Sequence, residues 1–171
     1  QGPAAMAPVD LNTLLRTAIK VSQPQWQSLH IEVRAEFPQE LLLVRGDSNQ
    51  LLQVWVQIIN DALHVLDEHG RKTLTISAQQ KDGIAIVNIC DAGVPDNFVE
   101  YKDRSTDALE SLSGLGLSAC QGILRQHQGK VLWRQDQEGP SIRVEIPAMA
   151  PPSGKAAAAG VPVPWQPQPF A

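Results

Sequence analysis

Residues 47–68 read DSNQLLQVWVQIINDALHVLDE. Leu51, Leu52, Val54, Trp55, Ile58, Ile59, Ala62, Val65 and Leu66 recur at steps of one to three, with pairs three and four apart throughout, the pattern of a helix that buries one side. Asp47 opens the run as an N-cap, and Gln50, three residues on, completes a capping box. Gly70 marks where the helix must stop, giving an end near Glu68. Gln53, Gln57, Asp61, His64 and Glu68 fall at steps of four, four, three and four, so they share one face. That stripe is either a solvated face or the wall of a polar ligand site, in which Asp61 would hold a cation directly or through water.

Working upstream, Asp10 caps a short helix from Leu11 to about Val21. Leu29 to Phe37 alternates apolar and polar residues like a half-buried strand, and Leu41 to Arg45 forms a second short strand. Downstream, Thr73–Gln80 and Ile84–Cys90 read as strands joined by a hairpin at Lys81-Asp82-Gly83, since Asp-Gly is a hairpin turn signal. The polar stretch from Asp91 to Ser113 has weak periodicity and reads as a long loop. Gly114 to His127 fits a helix. Lys130–Gln135 and Ser141–Ile146 fit a last strand pair around Glu138-Gly139-Pro140. Helices mixed with hairpins predict an α+β fold: a two-layer α/β sandwich, with a mixed, mostly antiparallel sheet and helices on one face.

The 171 residues suffice for one domain with a sizeable core. That domain is expected over 9–147, between a disordered or non-native leader at 1–8 and a Pro/Ala-rich flexible tail at 148–171. A formal net charge of −4 gives no basic footprint, so no nucleic-acid partner is expected. No apolar run reaches the roughly 18–20 residues that span a bilayer, so no membrane contact is expected of this fragment. Cys90 and Cys120 lack the spacing of a metal or redox pair and read as small buried apolar residues. Trp55 and Trp133 read as core. These features suit a reducing, cytoplasmic setting, with any inner-membrane anchor lying elsewhere in a parent protein.

Two further groups carry chemistry. In Asp91-Ala92-Gly93 a carboxylate ends a buried strand, where it would accept a hydrogen bond from an exocyclic amine, and Gly93 lets backbone approach a flat ring. The same residues also suit a plain strand-ending turn. In Gly114-Leu115-Gly116-Leu117-Ser118 the glycines expose backbone N–H groups at a helix start, where anions are favoured. A loop-to-helix junction needs glycines for no other reason than geometry.

The order of these pieces resembles the ATP-binding domain of the gyrase, chaperone, histidine kinase and mismatch-repair superfamily, and most of all the sensor histidine kinases. Gly46-Asp47, Gln50-Leu51-Leu52-Gln53-Val54 and Gln57-Ile58-Ile59 with Asp61-Ala62 are similar to the family's asparagine box. Asp91-Ala92-Gly93 is similar to its first glycine box and Ser113 to Ser118 to its second. Gln126-His127-Gln128-Gly129-Lys130-Val131 and Arg143-Val144-Glu145-Ile146-Pro147 resemble its closing strands, and Val9-Asp10-Leu11-Asn12 its entry.

The resemblance implies ATP and Mg²⁺ as cofactors. It gives Asp91 the adenine amino group, Gly93 the base, and Gly114, Leu115, Gly116 and Leu117 the phosphates. Val94 to Ser113 would be a lid, from which Lys102 or Arg104 reaches a phosphate oxygen. Asp61 would hold the metal and Gln57 stands nearest to a catalytic position. The implied function is that of the catalytic domain of a two-component protein histidine kinase. It would serve a histidine-bearing dimerisation domain and, indirectly, a response regulator.

Four features depart from the family pattern. Asp61 replaces an asparagine, Gln57 replaces an asparagine that is a glutamate base in hydrolysing relatives, and Pro95 replaces a glycine. The lid also lacks an aromatic-Pro-aromatic signature. None of His30, His64, His69 and His127 has a phosphoacceptor's surroundings. Two alternatives therefore stand beside the kinase: a degenerate interaction module with weak or no nucleotide binding, and an anti-sigma-type serine kinase.

Overall fold

The computed structural model describes residues 6–91, 99–100, 116–136 and 139–149. Strand β1 (Ala7–Asp10) leads into helices α1 (Leu11–Val21) and α2 (Gln23–Ser28). Strands β2 (Glu32–Glu36) and β3 (Leu43–Gly46) precede the long helix α3 (Ser48–Glu68). Then come β4 (Thr73–Lys81), β5 (Ile84–Cys90), β6 (Val99–Glu100), helix α4 (Gly116–Gln126), β7 (Lys130–Asp136) and β8 (Gly139–Pro147). The main sheet has the order β2-β4-β5-β8-β7-β6, and β1 pairs with β3 in a separate two-stranded sheet. Only β2 with β4 is parallel in the main sheet; α3 supplies the crossover that a parallel pair requires. The expected mixed, mostly antiparallel sheet with helices on one face is therefore what the chain builds.

Alternation decides which face is covered. Leu74, Ile76 and Ala78 on β4, Ala85, Val87 and Ile89 on β5, and Ile142, Val144 and Ile146 on β8 form one buried, apolar face. Helix α3 buries Leu51, Val54, Trp55, Ile58, Ile59, Ala62, Leu63, Val65 and Leu66 in that cluster. Each Leu, Ile or Val among them stabilises the fold by about 1.5–3 kcal/mol. The opposite sheet face carries Thr75, Ser77, Asn88 and Arg143, with Arg143 Nε donating to Asn88 Oδ1 at 3.1 Å.

The turn at Asp82-Gly83 has both residues at positive φ, 52° and 79°, the requirement of a two-residue hairpin. The hairpin register pairs Lys81 with Ile84, so the turn is one residue tighter than the Lys81-Asp82-Gly83 loop expected. Asp10 caps α1 as predicted, accepting from Asn12 N–H at 3.3 Å and from Leu42 N–H at 3.1 Å. Three elements were not foreseen. Strand β1 takes in Ala7 and Pro8 because β3 offers it a partner. Helix α2 fills most of the expected approach to β2, which shortens that strand to Glu32–Glu36. Strand β6 lies within the expected lid and pairs with β7.

The capping box at Asp47 is only half formed. Asp47 Oδ1 accepts from the N–H groups of Asn49 (2.9 Å) and Gln50 (3.1 Å). The return bond from Gln50 is missing, because the Asp47 N–H donates instead to His127 Nε2 at 3.0 Å. His127 Nδ1 lies 2.8 Å from the Ile123 carbonyl, so Nδ1 carries the proton and the ring is neutral. A buried imidazole thus ties the end of α4 to the start of α3. Gly46 leaves room for it: a Cβ there would come within 2.7 Å of the ring. Replacing His127 by Ala orphans the Asp47 N–H, and unfolding in urea is expected to show a loss of about 1–3 kcal/mol. A loss below about 0.5 kcal/mol, the range of a neutral surface change, contradicts this role.

Candidate nucleotide site

The polar stripe of α3 is not a uniformly solvated face. Gln53, His64 and Glu68 are exposed, whereas Gln57 and Asp61 in the middle are half-buried. Gln57 Nε2 donates to Asp61 Oδ1 at 3.1 Å, an i,i+4 pair that fixes how the carboxylate points. Helix α4 lies alongside. Cys120, one turn into it, is 2% exposed, and its thiol donates to the Val54 carbonyl at 3.8 Å. Burial, and after it the Asp61 charge, push the Cys120 thiol up to about 12. Asp61 is thus placed, through its partner Gln57, at the side of α3 that meets α4. Between the two helices runs a groove of about 390 Å³, lined by Leu52, Gln53, Val56, Gln57, Cys120 and Ile123.

Asp91 ends β5 and is 7% exposed. It does not merely close a turn: Arg71 Nη1 lies 3.1 Å from Asp91 Oδ2. Arg71 belongs to the short link from α3 to β4 and was not singled out by the sequence. Its only signal was a cation placed directly after the helix-ending Gly70.

The second glycine group is reached in part. Gly116 and Leu117 stand at the start of α4 as far as the described residues reach. Gly93, Lys102, Arg104, Gly114 and Leu115 lie outside the described residues, as do Pro95 and all of the expected lid except Val99–Glu100. Among the described residues no cluster of three or more His, Cys, Asp or Glu side chains forms a metal cage. Asp61 alone fits a different use. Mg²⁺ is commonly held by one or two carboxylates, waters and substrate phosphates rather than by an all-protein cage.

Helices stacked on one face of a mixed sheet, with a carboxylate ending the central β5 and a glycine opening α4, define an ATPase-like α/β sandwich of the histidine kinase type. The chain belongs to the family of histidine kinase-, DNA gyrase B- and HSP90-like ATPases, whose profile matches residues 46–150. It is 30% identical over 131 residues to the adaptive-response sensory kinase SasA of Prochlorococcus marinus strain MIT 9313, covering 72% of this chain and 35% of that protein. It is 30% identical over 151 residues to the signal transduction histidine-protein kinase BaeS of Escherichia coli K12, covering 82% and 32%. The chain thus spans about a third of the length of these relatives. Among solved structures, the catalytic domain of the histidine kinase ThkA superposes with a TM-score of 0.64 at 21% identity, over 83% of this chain and 96% of that one. Full-length ShkA in complex with AMPPNP superposes with a TM-score of 0.67 at 21% identity, over 86% and 32%. The expected resemblance to a sensor histidine kinase catalytic domain holds.

Both cysteines are buried, as expected. Burial raises the Cys90 thiol as well, against hydrogen bonds from Ser141 and Ile142 that lower it. A folded-state thiol raised from 9.0 to about 12 keeps its stability contribution below pH 9 and loses it as pH climbs toward 12. The reactive thiolate is correspondingly scarce in the native state. Neither cysteine is expected to react with iodoacetamide near pH 8 until urea unfolds the chain. Fast labelling of the native protein at Cys120 contradicts the burial described.

Proposed function

We propose that the chain binds Mg-ATP and presents its γ-phosphoryl group to a histidine on a dimerisation domain outside these residues. The observation that carries the reading is Asp61: a half-buried carboxylate, oriented by Gln57, whose own side chain lines the groove between α3 and α4. Asp61 would hold the metal, which when bound neutralises charge on the transferring phosphoryl group. Asp91 would accept the adenine amino group. The N–H groups from Gly114 to Leu117 would receive the phosphates at the start of α4, and Gly93 would sit against the base. Lys102 or Arg104 would add a cation.

Gln57 can donate and accept hydrogen bonds but cannot take a proton. The site would therefore orient rather than activate water. An imidazole acceptor needs no such base, because it is itself the nucleophile. That ShkA was solved in complex with AMPPNP, and ThkA in complex with the response regulator TrrA, supports nucleotide binding and a regulator as partner. A domain that draws on ATP in this way would work in the cytoplasm. Among the described residues no helix is long and apolar enough to cross a membrane. A degenerate interaction module is the competing reading, and the departures at Asp61, Gln57, Pro95 and in the lid are behind it.

Calorimetric titration decides between them. Mg-ATP is expected to bind, and Asp91→Asn to weaken it by roughly tenfold or more, since an amide offers a donor where an acceptor is needed. In chelator, Asp61→Asn is expected to bind ATP more tightly than the wild type, because a charge facing phosphate has gone. Absence of any titratable nucleotide binding establishes the degenerate module instead.

Transfer gives a separate test. With γ-labelled ATP this chain alone is expected to stay unlabelled and to hydrolyse negligibly, while an added histidine-bearing helical domain of the parent gains acid-labile label. Acid-stable label on a partner's serine favours the anti-sigma-type kinase. Acid-labile label on the chain alone contradicts the external acceptor.

A further inference from the structure

We propose that Arg71 is the positioning residue for Asp91, holding its carboxylate ionised and oriented to accept the exocyclic amine of adenine; this rests on the nucleotide reading above. The backbone delivers Arg71 with little freedom. Helix α3 ends in a Schellman closure: the Gly70 N–H donates to the Asp67 carbonyl at 3.1 Å and the Arg71 N–H to the Leu66 carbonyl at 2.8 Å. Gly70 takes the required left-handed φ of 69°. Two residues on, β4 begins, and its Thr75 pairs with Cys90, the neighbour of Asp91. Arg71 is thus clamped between a helix end and the strand next to its target.

The electrostatics give the contact a purpose beyond tying a loop down. The Asp91 side chain is 9% exposed and that of Arg71 37%. Burial alone favours the protonated carboxyl. A protonated carboxyl donates from one oxygen and discriminates poorly between an amine and its absence. The guanidinium, with Nη1 3.1 Å from Oδ2, favours the ionised form and draws that oxygen toward Arg71. The neighbouring Cys90 thiol, raised by burial, contributes no charge, and Arg143 acts on that thiol from β8.

The test pairs ATP with purine riboside triphosphate, which lacks the 6-amino group, and titrates both into the wild type, Arg71→Met and Arg71→Lys. The wild type is expected to prefer ATP by roughly tenfold or more. Arg71→Met should lose most of that preference while binding the amine-free analogue as the wild type does, and Arg71→Lys should recover part of it. Full preference retained in Arg71→Met overturns the positioning role and leaves the nucleotide reading standing. Tighter ATP binding by Arg71→Met also overturns it, making the ion pair a competitor of the base. A wild type that binds neither nucleotide, or both equally, overturns the underlying reading of Asp91. If Arg71→Met does not fold, Arg71→Lys decides: it keeps the charge without the guanidinium, so an undiminished preference refutes orientation.

Discussion

Burial of α3 constrains everything around it. Trp55, Ile58, Ile59, Leu63 and Leu66 have no exposed surface, so the helix cannot roll about its axis without opening the core. One residue of slip turns a helix by about 100°, which would carry Gln57 and Asp61 out of their shared edge and bring an apolar side chain to it. The same packing that stabilises the domain therefore aims the polar stripe. The Asp47–His127 contact adds an axial stop. It fixes the start of α3 to the end of α4, and the two helices then bring Gln57 and Cys120 to the walls of one groove.

Helix ends do much of the remaining positioning. α2, α3 and α4 all close with paired backbone bonds into a residue of left-handed φ: His30 at 60°, Gly70 at 69° and Gln128 at 60°. For His30 and Gln128 this conformation costs about 1–2 kcal/mol each. At the end of α4 the residue that follows explains the arrangement. Gly129 passes so close to Glu145 that a Cβ would lie 2.7 Å from its carbonyl oxygen. Glycine is needed one position later, for clearance, and the left-handed turn falls to Gln128. At the end of α3 the glycine takes the turn itself, and the residue it releases, Arg71, goes to Asp91.

What could be read from the sequence follows from how local its cause is. Helix α3, the β4–β5 hairpin and α1 were legible because period, N-caps and Asp-Gly act within a few residues. Asp61 was legible as a ligand candidate because it sat on a polar face. Strands β1 and β6 were not, since each exists by pairing with a distant partner, β3 and β7, and has no strong pattern of its own. The Gln50 half of the capping box failed for the same reason: His127, 80 residues away, supplies a better acceptor for the Asp47 N–H. The Arg71–Asp91 pair spans 20 positions, and neither residue names the other.

The departures at Gln57 and Asp61 make more sense together than singly. An aspartate where an asparagine is usual brings a charge, and an isolated half-buried carboxylate would be free to rotate. Gln57, one turn earlier, spends its amide on one oxygen of Asp61, and its own side chain is held in return. A glutamate at 57 would place two like charges at i,i+4 and repel instead. The pair is thus self-consistent as a carboxylate kept in a set direction without a neighbouring base. On the proposed reading, that is what transfer to an external imidazole requires. Alignment of a phosphoryl group with an incoming nucleophile contributes much of the rate, and a base able to activate water would divert the phosphoryl group to hydrolysis before the acceptor arrived.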